Sequence, residues 1–122
     1  GLAGTAVELD EGNYPAGGHP GIHAVAAALA EAEARGANGA SLLDAVIAGY
    51  EAGARVGMAT RLRPAAHPHG TWGTLGAAAA VARLRGHDAA AVRRVLEVAA
   101  SLGLATSATA SLRGGSVRNA YA

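Results

Sequence analysis

The 122-residue chain has no cysteine, and its ten basic side chains are all arginine, so lysine is missing too. Without cysteine there is no disulfide framework, thiolate nucleophile or cysteine zinc site, which suits a cytoplasmic protein. Without lysine no Schiff base can form on this segment, including one holding pyridoxal phosphate. The G-x-x-x-x-G-K phosphate loop is excluded for the same reason. Phenylalanine is absent and aromatics make up 3% of the chain, while much of the 51% apolar fraction is alanine. Such small side chains bury little area each, at roughly 25 cal/mol per Å². A lone core built from them is marginal, so a covering partner surface is expected. A net charge of +1 provides no electrostatic footprint for nucleic acid. No charge-free apolar run reaches the roughly 20 residues that span a bilayer, and no signal-peptide pattern is present. The chain starts at Gly1 and closes on Ser116-Val117-Arg118-Asn119-Ala120-Tyr121-Ala122 without a helix stop. It is read as a piece of a longer protein.

What remains reads as helices. Residues 1–19 look irregular. Pro20 suits a first helical turn, where its missing N–H costs nothing. Ile22, Val25, Ala26, Leu29 and Ala30 follow with the spacing of one buried face, and Gly36 and Gly39 stop the helix. Ser41 and Asp44 resemble a capping box before a second helix that buries Leu42, Leu43, Val46, Ile47 and Tyr50 and runs towards Met58. Gly49, Gly53 and Gly57 form a smooth stripe along it, which predicts close approach by another helix. A third helix is expected from about Gly70 to Gly86, through Leu75, Ala78, Ala79 and Ala82. A fourth is capped by Asp88, with Val92, Val95, Leu96, Ala99 and Leu102 on one face. No convincing strand is seen. The fold class expected is all-α, a bundle with Ala/Gly helix interfaces.

Four of the five histidines fall in two short stretches, Gly17-Gly18-His19-Pro20-Gly21-Ile22-His23 and His67-Pro68-His69-Gly70-Thr71-Trp72-Gly73-Thr74. Imidazole titrates near neutrality. At a helix mouth flanked by glycines, His19 is a candidate general acid or base; the plain alternative is a side chain decorating a turn. His23, one turn later, completes His-x-x-x-His, a possible metal pair, but no third ligand stands at recognisable spacing, so His23 reads as a supporting or packing residue. His67 and His69 precede Gly70 and Thr71, whose backbone N–H groups open a helix and would favour a substrate carboxylate; an ordinary loop and cap is the alternative. The acidic cluster Glu8, Asp10 and Glu11 is either a solvated run or, beside Asn13 and His19, a means of tuning an imidazole or protonating a leaving group. Arg118 can grip a carboxylate through two N–H groups or lie on the surface. No metal or organic cofactor is demanded by these residues. They point to acid–base chemistry on a small carboxylic acid.

In this order, Glu8-Leu9-Asp10-Glu11-Gly12-Asn13, Gly18-His19-Pro20, Ala48-Gly49-Tyr50-Glu51, His67 through Ala78, and Arg118 through Ala122 resemble the MmgE/PrpD family. That family includes 2-methylcitrate dehydratase, cis-aconitate decarboxylase and iminodisuccinate epimerase. The resemblance implies that residues 1–122 are part of a helical domain, that an α/β lid domain belongs to the longer protein, and that the active site lies between the two in a homodimer. It implies that His19 and His67 are the two site histidines and that the Glu8 carboxylate belongs to the site. Taken with the acidic and polar residues read above, the expected catalytic set is His19, His67, Glu8 and Asp10, and the expected substrate contacts are Asn13, Thr71 and Arg118. Glu8 stands where many members carry aspartate, Gly12 where many carry threonine, and Arg118 where decarboxylase-like members carry lysine. Arginine holds a carboxylate but does not readily release a proton. The activity implied is a lyase, first of all a dehydratase of a small di- or tricarboxylic acid. The alternatives are an epimerase of an amino- or imino-dicarboxylate and a non-catalytic helical module.

Overall fold

The computed structural model describes residues 1–103 apart from 8 and 65, and apart from the side chains of Leu2 and Ala6. Among the described residues five helices follow one another: α1 (Leu2–Ala6), α2 (Pro20–Arg35), α3 (Gly39–Ala59), α4 (Trp72–Leu84) and α5 (Ala89–Ser101). Among the described residues the only extended pairing is an isolated bridge between Asn13 and Gly18, so the fold is all-α. None of these helices is long and apolar enough to cross a membrane.

The helix boundaries have local causes. Pro20 occupies the first turn of α2, and Gly36 ends it with φ 62°, a left-handed conformation that favours glycine. Asp88 caps α5 by accepting the Ala91 N–H at 2.8 Å. The start of α3 differs from the expected Ser41–Asp44 box. Asn38 is the cap, accepting the Ser41 N–H at 2.9 Å, while Asp44 takes the Arg83 guanidinium at 2.7 Å. The helix therefore begins earlier, at Gly39. The stretch expected to be wholly irregular contains α1, a single turn closed by the Thr5 N–H on the Gly1 carbonyl at 3.1 Å. A helix that short has no periodicity to show in the sequence.

Helix α3 packs on α2 and α4, and α4 also lies against α2 and α5. The glycine stripe sets these distances. A Cβ on Gly49 would sit 2.7 Å from the Gly76 carbonyl oxygen, 2.7 Å from the Ala80 Cβ and 3.1 Å from the Ala24 Cβ, so three helices meet at one smooth point. The buried positions are small ones: Ala24, Ala28 and Ala32 on α2, Ala45, Gly49, Gly53, Ala54 and Gly57 on α3, and Gly73, Gly76, Ala79, Ala80 and Ala82 on α4. This shifts the expected faces of α2 and α3: Leu42, Val46 and Tyr50 do pack partly buried against the core, but the neighbouring large residues do not. Val25 and Leu29 on α2, and Leu43 and Ile47 on α3, are exposed. Backbones this close leave no room for branched side chains, and dense contact among small groups replaces their burial. Among the described residues Trp72, His69 and Pro20 are the largest fully buried side chains, and Trp72, within the second histidine stretch, packs with Ala16 and Ala54.

Candidate active site

The residues between α1 and α2 fold into a tight turn. Asn13 and Gly18 pair through Asn13 N–H to the Gly18 carbonyl at 2.8 Å, and Gly17 adopts φ 68°. Asn13 then ties the turn to α3 by donating from Nδ2 to the Tyr50 hydroxyl at 3.1 Å. This delivers His19 to the N-cap of α2. The second histidine stretch lies between α3 and α4. Gly18 joins the two: a Cβ there would stand 2.7 Å from the Trp72 ring and 3.0 Å from the Pro68 Cβ. Only a residue without a side chain lets the turns approach this closely.

The approach brings four imidazoles together around His69. Its ring lies edge to face with His19 at 5.3 Å, His23 at 4.9 Å and His67 at 4.6 Å between centroids. His19 and His67, 48 positions apart in the chain, thus flank one shared ring. The cluster is graded in depth. The His19 side chain keeps 38% of its surface open, whereas His67 and His69 retain 6% and 2%. Asp10 lies beside His19, with its Oδ2 3.6 Å from Nδ1 and its own side chain only 2% exposed. That Oδ2 and the Nε2 of His23 are buried, and neither has a hydrogen-bond partner among the described residues. Burial lowers the His23 pKa to about 4, helped by His67 and opposed by Asp10. Burial likewise lowers His69 to about 4, with His23 and His67 adding to the shift. Both rings are neutral at pH 7.

Backbone contacts fix the proton positions on the other two rings. The Nδ1 of His19 meets the Glu11 carbonyl oxygen. A carbonyl only accepts, so Nδ1 carries the hydrogen and a neutral His19 holds its lone pair on Nε2. At His67 the polarity is reversed, because the His69 N–H donates to Nδ1 at 3.1 Å. His67 is therefore neutral with its hydrogen on Nε2. Two imidazoles of one cluster thus stand in opposite tautomers, one with a lone pair on Nε2 and the other with an N–H there.

The other residues singled out in the sequence are placed as follows. Besides holding Tyr50, Asn13 uses its Oδ1 to accept the Ala16 N–H at 3.0 Å. Thr71 turns its hydroxyl back to the His67 and Pro68 carbonyls at 2.9 and 3.1 Å, closing the loop that carries the histidines. Glu8 and Arg118 lie outside the described residues. Of the free donors expected from Gly70 and Thr71, that of Thr71 is corrected. Thr71 and Gly73 N–H both donate to the Pro68 carbonyl, and Thr74 N–H to Thr71, since the loop folds back on itself. At α2 the corresponding position is filled by Glu11, whose Oε2 accepts the Gly21 N–H at 2.9 Å. The sequence reading assigned no central part to His69, although the His-Pro-His spacing holds its only signal. A groove of about 320 Å³ opens near Pro68 and Trp72, lined also by Thr60, Leu62 and Arg63. No imidazole lines it, and the histidine cluster, with its convergent polar groups, is the stronger site on chemical grounds.

A family model described as the MmgE/PrpD N-terminal domain matches residues 1–120. The chain belongs to the MmgE/PrpD family. Comparison with curated proteins found no match, and neither did comparison with solved structures. MmgE/PrpD proteins are enzymes, and nearly the whole of this chain falls within the N-terminal domain of the family.

Proposed function

We propose that this MmgE/PrpD domain supplies the acid–base half of a lyase, a dehydratase of a small di- or tricarboxylic acid. In this reading His19 Nε2 removes the proton from the carbon beside a carboxylate and passes it to the departing hydroxyl, which His67 Nε2–H holds by a hydrogen bond, so both rings end as neutral imidazoles. The C–H and C–O bonds break, a C=C bond forms, and water leaves. Asp10 balances the positive charge that His19 acquires. General acid–base assistance of this kind contributes about 10²- to 10⁴-fold. Glu8 and Arg118 complete the carboxylate and cation set, with Asn13 and Thr71 holding the two turns in register around the substrate. The opposed tautomers of His19 and His67 on one shared neighbour carry the reading. An epimerase would use the same pair to remove and return a proton on opposite faces.

The longer protein is proposed to cover the cluster with an α/β lid and to dimerise, with the exposed Val25, Leu29, Leu43 and Ile47 as apolar surface for that assembly. The deciding experiment is turnover of a 2-hydroxy tricarboxylate by the intact protein in D₂O, followed by ultraviolet absorbance of the alkene and by NMR. His19→Gln and His67→Gln should each lower kcat at least 100-fold while the far-ultraviolet circular dichroism stays unchanged. Exchange of the α-proton without alkene would select the epimerase. Folded variants with wild-type turnover would refute both.

A further inference from the structure

We propose that Asp10, His19 and His69 form a binding site for a divalent transition-metal ion of the zinc class. One ligating atom from each of the three lies within 4.8 Å of the other two. Nitrogen and carboxylate oxygen are the donors that zinc accepts at about 2.0–2.2 Å. Ligands around a tetrahedral ion at that range stand about 3.3–3.6 Å apart, so the trio draws in by roughly an ångström. The paired residues differ from the His19–His23 combination that spacing alone suggests. The fold substitutes a carboxylate and a histidine from distant turns.

Two further observations point to a cation. The first is the Asp10 carboxylate. Its side chain is 2% exposed, yet Oδ2 has no hydrogen-bond partner among the described residues. A buried acceptor left unsatisfied costs about 1–3 kcal/mol, and more when charged, and a bound cation would remove that cost. The second is the orientation of His19. Metal-binding imidazoles typically donate their second N–H to a carbonyl or carboxylate, and His19 makes this contact through Nδ1 to the Glu11 carbonyl. With its hydrogen on Nδ1, the ring keeps its lone pair on Nε2 as the nitrogen able to bind an ion. With three protein ligands, a fourth position stays open to water or to a substrate carboxylate. The inference does not rest on the acid–base reading; an ion on His19 would occupy the lone pair that reading uses, so the metal-loaded and the proton-abstracting states exclude one another at that atom.

The test is titration of the intact, metal-stripped protein with cobalt(II), read by visible d–d absorption, and with zinc(II), read by calorimetry. One equivalent of each should bind, with a cobalt band intensity typical of a four-coordinate N/O site. Asp10→Asn and His19→Gln should each raise the Kd at least tenfold with unchanged circular dichroism. His87→Gln, which alters the exposed histidine between α4 and α5, should leave it unchanged. A folded protein that gives neither cobalt spectrum nor zinc heat overturns the proposal. So does a Kd that Asp10→Asn and His19→Gln both leave at the wild-type value, since the ion would then sit elsewhere.

Discussion

Replacing Gly49 by alanine inverts an ordinary expectation. In a helix interior, alanine is favoured over glycine by about 1 kcal/mol. At position 49 the added methyl would meet a backbone carbonyl oxygen and a β-carbon, both at 2.7 Å, on the neighbouring α4. Neither can swing aside as the end of a long side chain could. The α3–α4 interface must open, at a cost of about 1–3 kcal/mol for overpacking, and the Ala24 contact on α2 is disturbed as well. With the cost at the upper end because backbone must move, the net effect is a loss of about 1–2 kcal/mol. That corresponds to roughly 4–8 °C in Tm per kcal/mol for a domain of this size. Gly39→Ala provides the control, because a Cβ on Gly39 meets nothing within 4 Å. It should be neutral or stabilising by up to about 1 kcal/mol. Urea midpoints of both variants in the intact protein, followed by circular dichroism, give the comparison. A Gly49→Ala protein as stable as wild type would refute the claim that close backbone contact sets the α2–α3–α4 junction.

Stability should also fall on acidification between pH 6.5 and 4. His23 and His69 are neutral when folded, with pKa values lowered to about 4, so the unfolded chain binds protons first. Their contribution is complete above pH 6.5 and lost as pH falls through about 4, with an upper bound near ~3 kcal/mol for either ring taken alone. A urea midpoint that stays flat across this range would contradict it. Glu11→Ala should cost about 1 kcal/mol by freeing the Gly21 N–H at the start of α2, whereas Glu11→Gln should recover most of that loss in thermal melts. Nitrogen-15 NMR of the imidazoles at pH 8 should place the hydrogen on Nδ1 of His19 and on Nε2 of His67. The same tautomer on both would break the proposed division into proton acceptor and hydrogen-bond donor.

The fold was legible where a residue's backbone chemistry decides the outcome. Pro20, Gly36, Asp88 and the Gly49–Gly53–Gly57 stripe each do in three dimensions what their type dictates. The buried faces of α2 and α3 were legible only in part, because apolar periodicity weights large side chains: Leu42, Val46 and Tyr50 pack as expected. Val25, Leu29, Leu43 and Ile47 mark a stripe adjacent to the one that packs, and the small residues beside them carry the contact. When helices approach at glycine distance, the inward face is the one with least side chain. Sequence patterns built on hydrophobic bulk then point outward.

The candidate site divides along a similar line. The two His-Pro stretches announce themselves by composition, and their pairing follows from the family resemblance as much as from spacing. What no local pattern encodes is the geometry that Gly18 permits. Its missing Cβ lets the α1–α2 turn rest on Trp72 and Pro68, and only then does His69 become the ring that His19, His23 and His67 share. The tautomers are equally non-local, since each is set by a backbone group: the Glu11 carbonyl for His19 and the His69 N–H for His67. Residue type supplied four imidazoles able to serve as acid or base. The difference between them is written in which main-chain atom each Nδ1 meets, and that is a property of two turns folded against one another.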